Sequence, residues 1–192
     1  MKVSELMVSC LENEGVEYIF GIPGEENIDL MDALLDSSIQ FVTTRHEQGA
    51  AFMADVYGRL TGRAGVCLST LGPGATNLVT GVADANMDRA PLVAIAGQGS
   101  TYRRHKESHQ ILDLVNLFEP ITKYSTQILE PEITPEIIRK AFKIAENEKP
   151  GCCFIDFPEN IAATEIDNLL PLKKQSPSTP VAPEGKCSYA AE

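Results

Sequence analysis

Residues 64–97 read AGVCLSTLGPGATNLVTGVADANMDRAPLVAIAG, and this stretch decides the expected fold. It predicts an apolar strand over 64–70, a glycine-containing turn over 71–74, a helix over 75–87 and a second apolar strand over 91–97. Two strands joined by a helix of this length form a parallel βαβ unit. Their nearly continuous apolar character indicates that helices cover both faces of the strands.

The same alternation continues on both sides of this unit. Further strands are predicted over 16–20, 39–44, 121–128 and 151–157, and further helices over 3–14, 28–35, 48–60, 111–117 and 135–147. The predicted fold class is therefore α/β, a doubly wound, mostly parallel six-stranded sheet with helices on both faces.

The length of 192 residues suits one domain followed by a tail. Residues 1–170 carry the periodic pattern and are predicted to form that domain. Residues 171–192 contain four prolines and no periodicity. They are predicted to be a Pro-rich linker or disordered tail.

Composition excludes several classes of partner. The net charge of −11 argues against nucleic acid and against an anionic membrane, since both attract basic proteins. The five cysteines have no metal-binding spacing, and buried thiols in a reducing cytosol are the simplest interpretation. The N-terminus lacks the pattern of a signal peptide, and no apolar run approaches the ~18 residues of a membrane span. These features predict a cytoplasmic protein.

In open α/β sheets, ligands bind outside the carboxyl ends of the strands. Four loops lie there in the predicted order, over 21–27, 44–47, 70–77 and 97–110. The third, STLGPGATN, could present helix N-terminal N–H groups to an anion. It lacks the lysine of a Walker motif and the third glycine and acid of a dinucleotide fingerprint. A glycine turn that lets helix and strand pack closely is the alternative interpretation.

The fourth loop contains HKESH, which places His105 and His109 four residues apart. Zinc proteases use such pairs, but here Glu107 is displaced from the required position and no third ligand is evident. A solvated polar loop is the favoured interpretation. The second loop contains Glu47 within TRHEQGA, where an ordinary ion pair with Arg45 or His46 is the plain alternative to a functional carboxylate.

Taken together, these loops resemble one family. YIFGIPGEENIDLMDALLDSSI (18–39), the segment TTRHEQGAA through PLVAIAGQ (43–98) and KPGCCFIDFPENI (149–161) resemble the N-terminal pyrimidine-binding domain of thiamine diphosphate enzymes. The nearest group is the acetolactate synthase (acetohydroxyacid synthase) large subunit and its pyruvate oxidase relatives. The resemblance covers residues 3–162, and RHEQGAA and GPGATN at this separation carry most of its specificity.

The resemblance implies a set of site residues. Glu47 would be the catalytic carboxylate that hydrogen-bonds N1′ of the cofactor's aminopyrimidine and so promotes loss of the proton from thiazolium C2. Such a carboxyl needs a dry pocket in which to share a proton near neutral pH. The other residues that the resemblance places around the cofactor are Pro23, Thr70, Pro73, Asn77 and Gln110.

The resemblance also implies what lies outside this chain. Family members hold the diphosphate through Mg²⁺ on a separate domain with a GDG motif, which this sequence lacks, and some bind FAD on a middle domain. No metal ligand is therefore expected here. The chain is expected to be the N-terminal domain of a larger enzyme, meeting the diphosphate-binding domain of another subunit in a homodimer or higher oligomer.

The reaction implied is decarboxylation of pyruvate, followed by condensation of the hydroxyethyl carbanion with a second 2-oxoacid. A pyruvate oxidase or sulfoacetaldehyde acetyltransferase-type enzyme is an alternative, since GEEN replaces the PGG form common in biosynthetic synthases. A non-catalytic nucleotide-binding module of the same fold is an alternative from another class.

Overall fold

A sheet of six strands, all parallel, forms the centre of the computed structural model, which describes residues 1–104 and 106–176. The strands lie in the order β2-β1-β3-β4-β6-β5. They are β1 (Tyr18–Gly21), β2 (Gln40–Thr43), β3 (Gly65–Ser69), β4 (Leu92–Gln98), β5 (Tyr124–Gln127) and β6 (Cys152–Pro158). The predicted six-stranded α/β fold is confirmed.

Seven α-helices accompany this sheet in the described ranges. They are α1 (Val3–Glu14), α2 (Ile28–Leu34), α3 (Glu47–Thr61), α4 (Pro73–Met87), α5 (Leu114–Phe118), α6 (Thr134–Glu146) and α7 (Glu159–Ala162). None of them is long and apolar enough to cross a membrane.

Each face of the sheet carries its own apolar core because side chains alternate along a strand. Val66 and Leu68 point towards the layer of α1, α2 and α6. Cys67, between them, points towards the layer of α3, α4 and α5. Strands β3, β4 and β6 are buried along their whole length, as their continuous apolar sequences predict.

Local signals set the helix ends. Gly15 and Gly62 adopt left-handed conformations and end α1 and α3. Pro73 is the first residue of α4, where a missing N–H costs nothing. Helix α5 was predicted to begin at Ile111 but begins at Leu114, because the Asp113 side chain accepts a hydrogen bond from Asn116 N–H and caps it there.

The segment after α7 runs back along the start of the chain. Val3 N–H donates to Thr164 O, and Ile166 N–H donates to Met1 O. Further on, Asn13 donates to Leu172 O at 2.8 Å. Residues 171–176 form no helix or strand, whereas residues 177–192 lie outside the described part of the chain. The predicted domain boundary at residue 170 stays a prediction.

Candidate functional site

The loops that follow the first four strands meet at the carboxyl edge of the sheet. From β1 the chain moves to β2 on one side of it and then crosses to β3 on the other side. The direction in which successive strands are added to the sheet therefore reverses between β1 and β3. Ligands of doubly wound folds bind at such a switch point, where the two loops separate. The loop after β1 also contacts the end of β4, since a Cβ added to Gly97 of β4 would lie 2.8 Å from the carbonyl oxygen of Glu26.

Glu47 is the first residue of α3 and is only 9% exposed. His46 caps the helix in front of it, its Nδ1 accepting a hydrogen bond from Gln48 N–H at 3.1 Å. The positive end of the helix dipole favours a carboxylate at this position. Asn77 of α4 donates from Nδ2 to Glu47 Oε2 at 2.9 Å, and this bond fixes one of the two carboxylate oxygens.

The second oxygen, Oε1, lies beside Gly74, whose lack of a side chain allows α4 to approach Thr70 and Glu47 closely. A Cβ on Gly74 would lie 3.5 Å from Glu47 Oε1 and 2.9 Å from Thr70 Cγ2. Within residues 1–104 and 106–176, no hydrogen bond to Oε1 is present. The carboxylate is therefore held by one oxygen and free to bind a hydrogen-bond donor through the other.

The ion-pair alternative for Glu47 is not supported in the described structure. No basic group there lies within salt-bridge distance of its carboxylate, and Arg45 and His46 are exposed. The motif TRHEQGA therefore places its acid inside the protein and its bases outside.

Thr70 joins the loops after β3 and β1. Its Oγ1 donates to Glu26 Oε2 at 2.7 Å. A Cβ on Gly24 would lie only 2.5 Å from Thr70 Cβ, so only glycine allows this approach. Pro23 is the exposed residue immediately before Gly24 in the same loop. Glu26 was not among the predicted site residues, and the only sequence signal for it was the acidic pair in GEEN.

Gln110 comes close to the start of α4. A Cβ on Gly72 would meet the Gln110 carbonyl oxygen at 2.6 Å, and both residues have positive φ angles, 53° for Gly72 and 58° for Gln110. Glycine is required at position 72 both by its conformation and by this contact. Gln110 is exposed at this edge of the sheet.

The glycine loop before α4 offers few free amides to an anion. Pro73 has no N–H, and Gly74 N–H already donates to Leu71 O at 3.1 Å. Of the two interpretations of this loop, the structure favours the glycine turn that allows close packing. A Cβ on Gly74 would lie 2.9 Å from Thr70 Cγ2, and one on Gly72 would lie 2.6 Å from the Gln110 carbonyl oxygen.

The described ranges contain neither a cluster of metal-binding side chains nor an exposed cysteine thiol. No group of three or more His, Cys, Asp and Glu side chains that could hold a metal occurs there, and His105 lies outside them. Cys10, Cys67, Cys152 and Cys153 are buried free thiols. Burial raises the pKa of Cys67 to about 12, so this thiol stays protonated and unreactive at neutral pH.

Comparison with known proteins places this site in a family. Residues 1–117 match the family described as "Thiamine pyrophosphate enzyme, N-terminal TPP binding domain". A probable acetolactate synthase large subunit of Methanocaldococcus jannaschii is 48% identical over 167 residues, which are 87% of this chain and 28% of that protein. An acetolactate synthase of Bacillus subtilis is 46% identical over 165 residues, 86% of this chain and 29% of that protein.

A catabolic acetolactate synthase of Raoultella terrigena is 40% identical over 189 residues, 98% of this chain and 34% of that protein. The chain thus spans about a third of the length of these curated relatives.

Proposed function

Because the chain belongs to the thiamine pyrophosphate enzyme family, as its N-terminal TPP-binding domain, we propose that Glu47 binds the aminopyrimidine of thiamine diphosphate. One observation carries this proposal. The Glu47 carboxylate is buried at a helix start, with one oxygen held by Asn77 and the other, beside Gly74, without a hydrogen-bond partner in the described residues. A ring nitrogen that carries a proton, or shares one with the carboxylate, fits this free oxygen.

The residues around Glu47 fit the pyrimidine end of the cofactor. Asn77 keeps the carboxylate in one orientation, so little reorganisation is needed when a proton moves to or from Oε1. Thr70, tied to Glu26, forms the rim between the two loops of the switch point. We place the aminopyrimidine ring against the unbonded oxygen of Glu47 and assign the exposed Gln110 to the reacting end of the cofactor.

We propose that the larger enzyme is acetolactate synthase-like. When bound, the thiazolium ring would supply a carbon nucleophile for the decarboxylation of pyruvate and the transfer of the remaining two-carbon unit to a second 2-oxoacid. The names of the relatives from M. jannaschii, R. terrigena and B. subtilis support this assignment over the oxidase and acetyltransferase alternatives. The family match supports it over the nucleotide-binding module.

The remaining partners follow from the same proposal. Mg²⁺ would bind the diphosphate on another domain, and we assign neither a Mg²⁺ ligand nor a FAD contact to this chain. A homodimer would bring that domain of one subunit to the Glu47 site of the other. We place the protein in the cytoplasm, where the four buried free thiols of the described part would stay reduced.

The test is Glu47→Gln in an enzyme that contains this domain together with a diphosphate-binding domain. Glutamine keeps the size and the bond to Asn77 but cannot exchange the carboxyl proton. Hydrogen–deuterium exchange at C2 of the bound cofactor, measured by acid quench and NMR, should slow by ~10²–10⁴-fold. Circular dichroism should show an unchanged fold.

The matched control is Glu130→Gln, the same substitution at an exposed position after β5. Asp55, in the same helix as Glu47, is unsuitable as a control because it is buried and bonded through both oxygens to Arg59 at 2.8 Å. C2 exchange at the wild-type rate in folded, cofactor-saturated Glu47→Gln would refute the proposal.

A further inference from the structure

The loop between β4 and α5 carries Gln110 to the carboxyl edge of the sheet. Ile111 N–H donates to Ser108 O at 3.5 Å, so the chain turns over residues 108–111. Gln110 is the third residue of this turn and has a φ of 58°. Glycine or asparagine usually takes such a position, because the left-handed conformation strains other residues. Glutamine at this place therefore needs surrounding contacts that hold the turn.

One side of the turn lies against the start of α4. A Cβ on Gly72 would lie 2.6 Å from the Gln110 carbonyl oxygen, so the two backbones are in close contact. Two residues later, a Cβ on Gly74 would lie 3.5 Å from Glu47 Oε1. The turn and the Glu47 carboxylate are thus neighbours of the same short segment.

Arg103 holds the other side of the turn. Its Nε donates to Ser108 Oγ at 2.8 Å, two residues before Gln110. Its Nη1 lies 3.5 Å from Oε1 of Glu159, the first residue of α7. Because the guanidinium is planar and rigid, contacts on both of its sides fix the distance between α7 and the turn.

The start of α7 is itself bonded to the first half of the loop. Glu159 Oε1 accepts a hydrogen bond from Ser100 N–H at 2.9 Å. Asn160 Oδ1 accepts from Thr101 N–H at 2.9 Å, and Asn160 Nδ2 donates to Thr101 Oγ1 at 3.0 Å. Helix α7 directly follows β6, which is buried along its whole length. A series of contacts therefore runs from the centre of the sheet through Arg103 to the turn.

We propose that Arg103 is a positioning residue, which holds the turn over 108–111 so that the Gln110 amide faces the 2-oxoacid substrate. This inference rests on the proposed function and deepens it at the same site. A glutamine amide donates hydrogen bonds, and the keto and carboxylate oxygens of a 2-oxoacid accept them. A donor that is fixed before the reaction stabilises developing charge without reorganisation.

The first test is amide hydrogen–deuterium exchange of the purified 192-residue chain, followed from milliseconds by mass spectrometry. The Lys106 and Ile111 amides donate within the loop, to Arg103 O and Ser108 O. In Arg103→Gln, peptides over residues 106–111 should exchange ~10-fold faster, because the turn loses a side-chain bond and opens more often. Exchange at the wild-type rate would overturn the proposal.

Two further variants control this measurement. Ser108→Ala removes the acceptor instead of the donor and should accelerate exchange as much as Arg103→Gln does. Arg104→Gln is the same substitution at the exposed neighbouring arginine, and it should leave exchange unchanged. Equal acceleration by Arg104→Gln would show that loss of charge, rather than the bond to Ser108, loosens the loop, and it would contradict the proposal.

The second test is a double-mutant cycle on kcat for pyruvate, in an enzyme that also contains a diphosphate-binding domain. Gln110→Ala should lower kcat by ~10²-fold and Arg103→Gln by ~10-fold, with little change in KM. In the Gln110→Ala background, Arg103→Gln should have no further effect, because it acts through Gln110. Effects that multiply, or an unchanged kcat in either single variant, would refute the role of Arg103.

Exchange at C2 of the bound cofactor separates this inference from the proposed function. That exchange reports on Glu47 and needs no substrate, so Arg103→Gln should keep the wild-type rate. A slowed rate in Arg103→Gln would contradict the inference, because the loop would then act on the cofactor and not on the substrate. A wild-type rate in Glu47→Gln would refute the proposed function, whereas amide exchange of the chain alone would still decide whether Arg103 holds the turn.

Discussion

At the scale of single residues, Asp156 makes stability depend on pH. Burial, only partly offset by the bonds from Gln98 and Gln127, raises its pKa from 3.8 to about 7. Between these two values the folded chain binds the proton more tightly than the unfolded chain does. The contribution of Asp156 to the free energy of unfolding is therefore largest at low pH and is lost as the pH rises to about 7.

Between a pH of about 4 and about 8, we expect the free energy of unfolding of wild type to fall by up to a few kcal/mol relative to that of Asp156→Asn. Urea unfolding of both proteins across this range measures the difference, in which the effects of all other groups cancel. Asp167→Asn is the control, because an exposed carboxyl should give a curve parallel to that of wild type. Parallel curves for Asp156→Asn and wild type would contradict the expectation.

At the scale of elements, two glycines in the helices α3 and α4 should respond to alanine with opposite signs. A Cβ on Gly81 of α4 would lie 2.6 Å from Ala51 Cβ of α3, whereas a Cβ on Gly49 of α3 would meet nothing within 4 Å. Neither glycine has a positive φ. Gly49→Ala should stabilise the chain by about 0.5–1 kcal/mol through helix propensity.

Gly81→Ala gains the same helix propensity. It also overpacks the contact between α3 and α4, which should lower the free energy of unfolding by about 1–3 kcal/mol. A net destabilisation on the order of 1 kcal/mol is expected, and chemical unfolding of the two variants side by side measures both changes. The interpretation fails if Gly81→Ala is as stable as Gly49→Ala.

Much of this element-level structure follows from the sequence, because glycine, proline and apolar periodicity act locally. Gly15, Gly62 and Pro73 mark helix ends at or near the predicted positions. The start of α5 was missed because apolar Ile111 and Leu112 suggested helix, while the cap at Asp113 excluded them. The role of Glu47 in cofactor binding stays a prediction, although its burial and its bond to Asn77 agree with it.

The cluster of Gln98, Gln127 and Asp156 could not be predicted. These residues lie far apart in the sequence, and they meet only because β6 lies between β4 and β5. The sequence order of strands does not give their spatial order. Each side chain alone looks like an ordinary polar residue near a strand end.

At the scale of the whole molecule, the 192-residue chain should be inactive by itself. It contains the proposed aminopyrimidine site, but no group of residues in the described part suits Mg²⁺. Contacts to the metal and phosphate usually supply most of the affinity for such a cofactor. Calorimetry should show weak binding of thiamine diphosphate with Mg²⁺, and turnover of pyruvate by the purified chain would overturn this view.

Self-association is expected through the layer formed by α3 and α4. Met53, Val56 and Leu60 recur on one side of α3 and are 47%, 50% and 81% exposed. Exposed apolar stripes of this kind mark contact surfaces, and two-fold pairing is the commonest way to cover them. Leu60→Glu should therefore lower the dimer fraction in sedimentation velocity experiments.

Leu35→Glu is the matched control, since Leu35 is 80% exposed but lies at the end of α2 in the opposite layer. It should leave the dimer fraction unchanged. An equal effect of the two substitutions, or a wild-type chain that stays monomeric at high concentration, would count against this surface.

The position of β6 also bears on how the protein is made on the ribosome. In the described sheet β5 pairs with β6 alone, and β4 keeps one edge open until β6 fills the place between them. Translation from the end of β4 to the end of β6 takes several seconds at ~5–20 residues per second. Throughout that time the nascent chain exposes one unpaired edge of the apolar strand β4. On crowded polysomes, neighbouring nascent chains could pair through these edges until β6 has been translated.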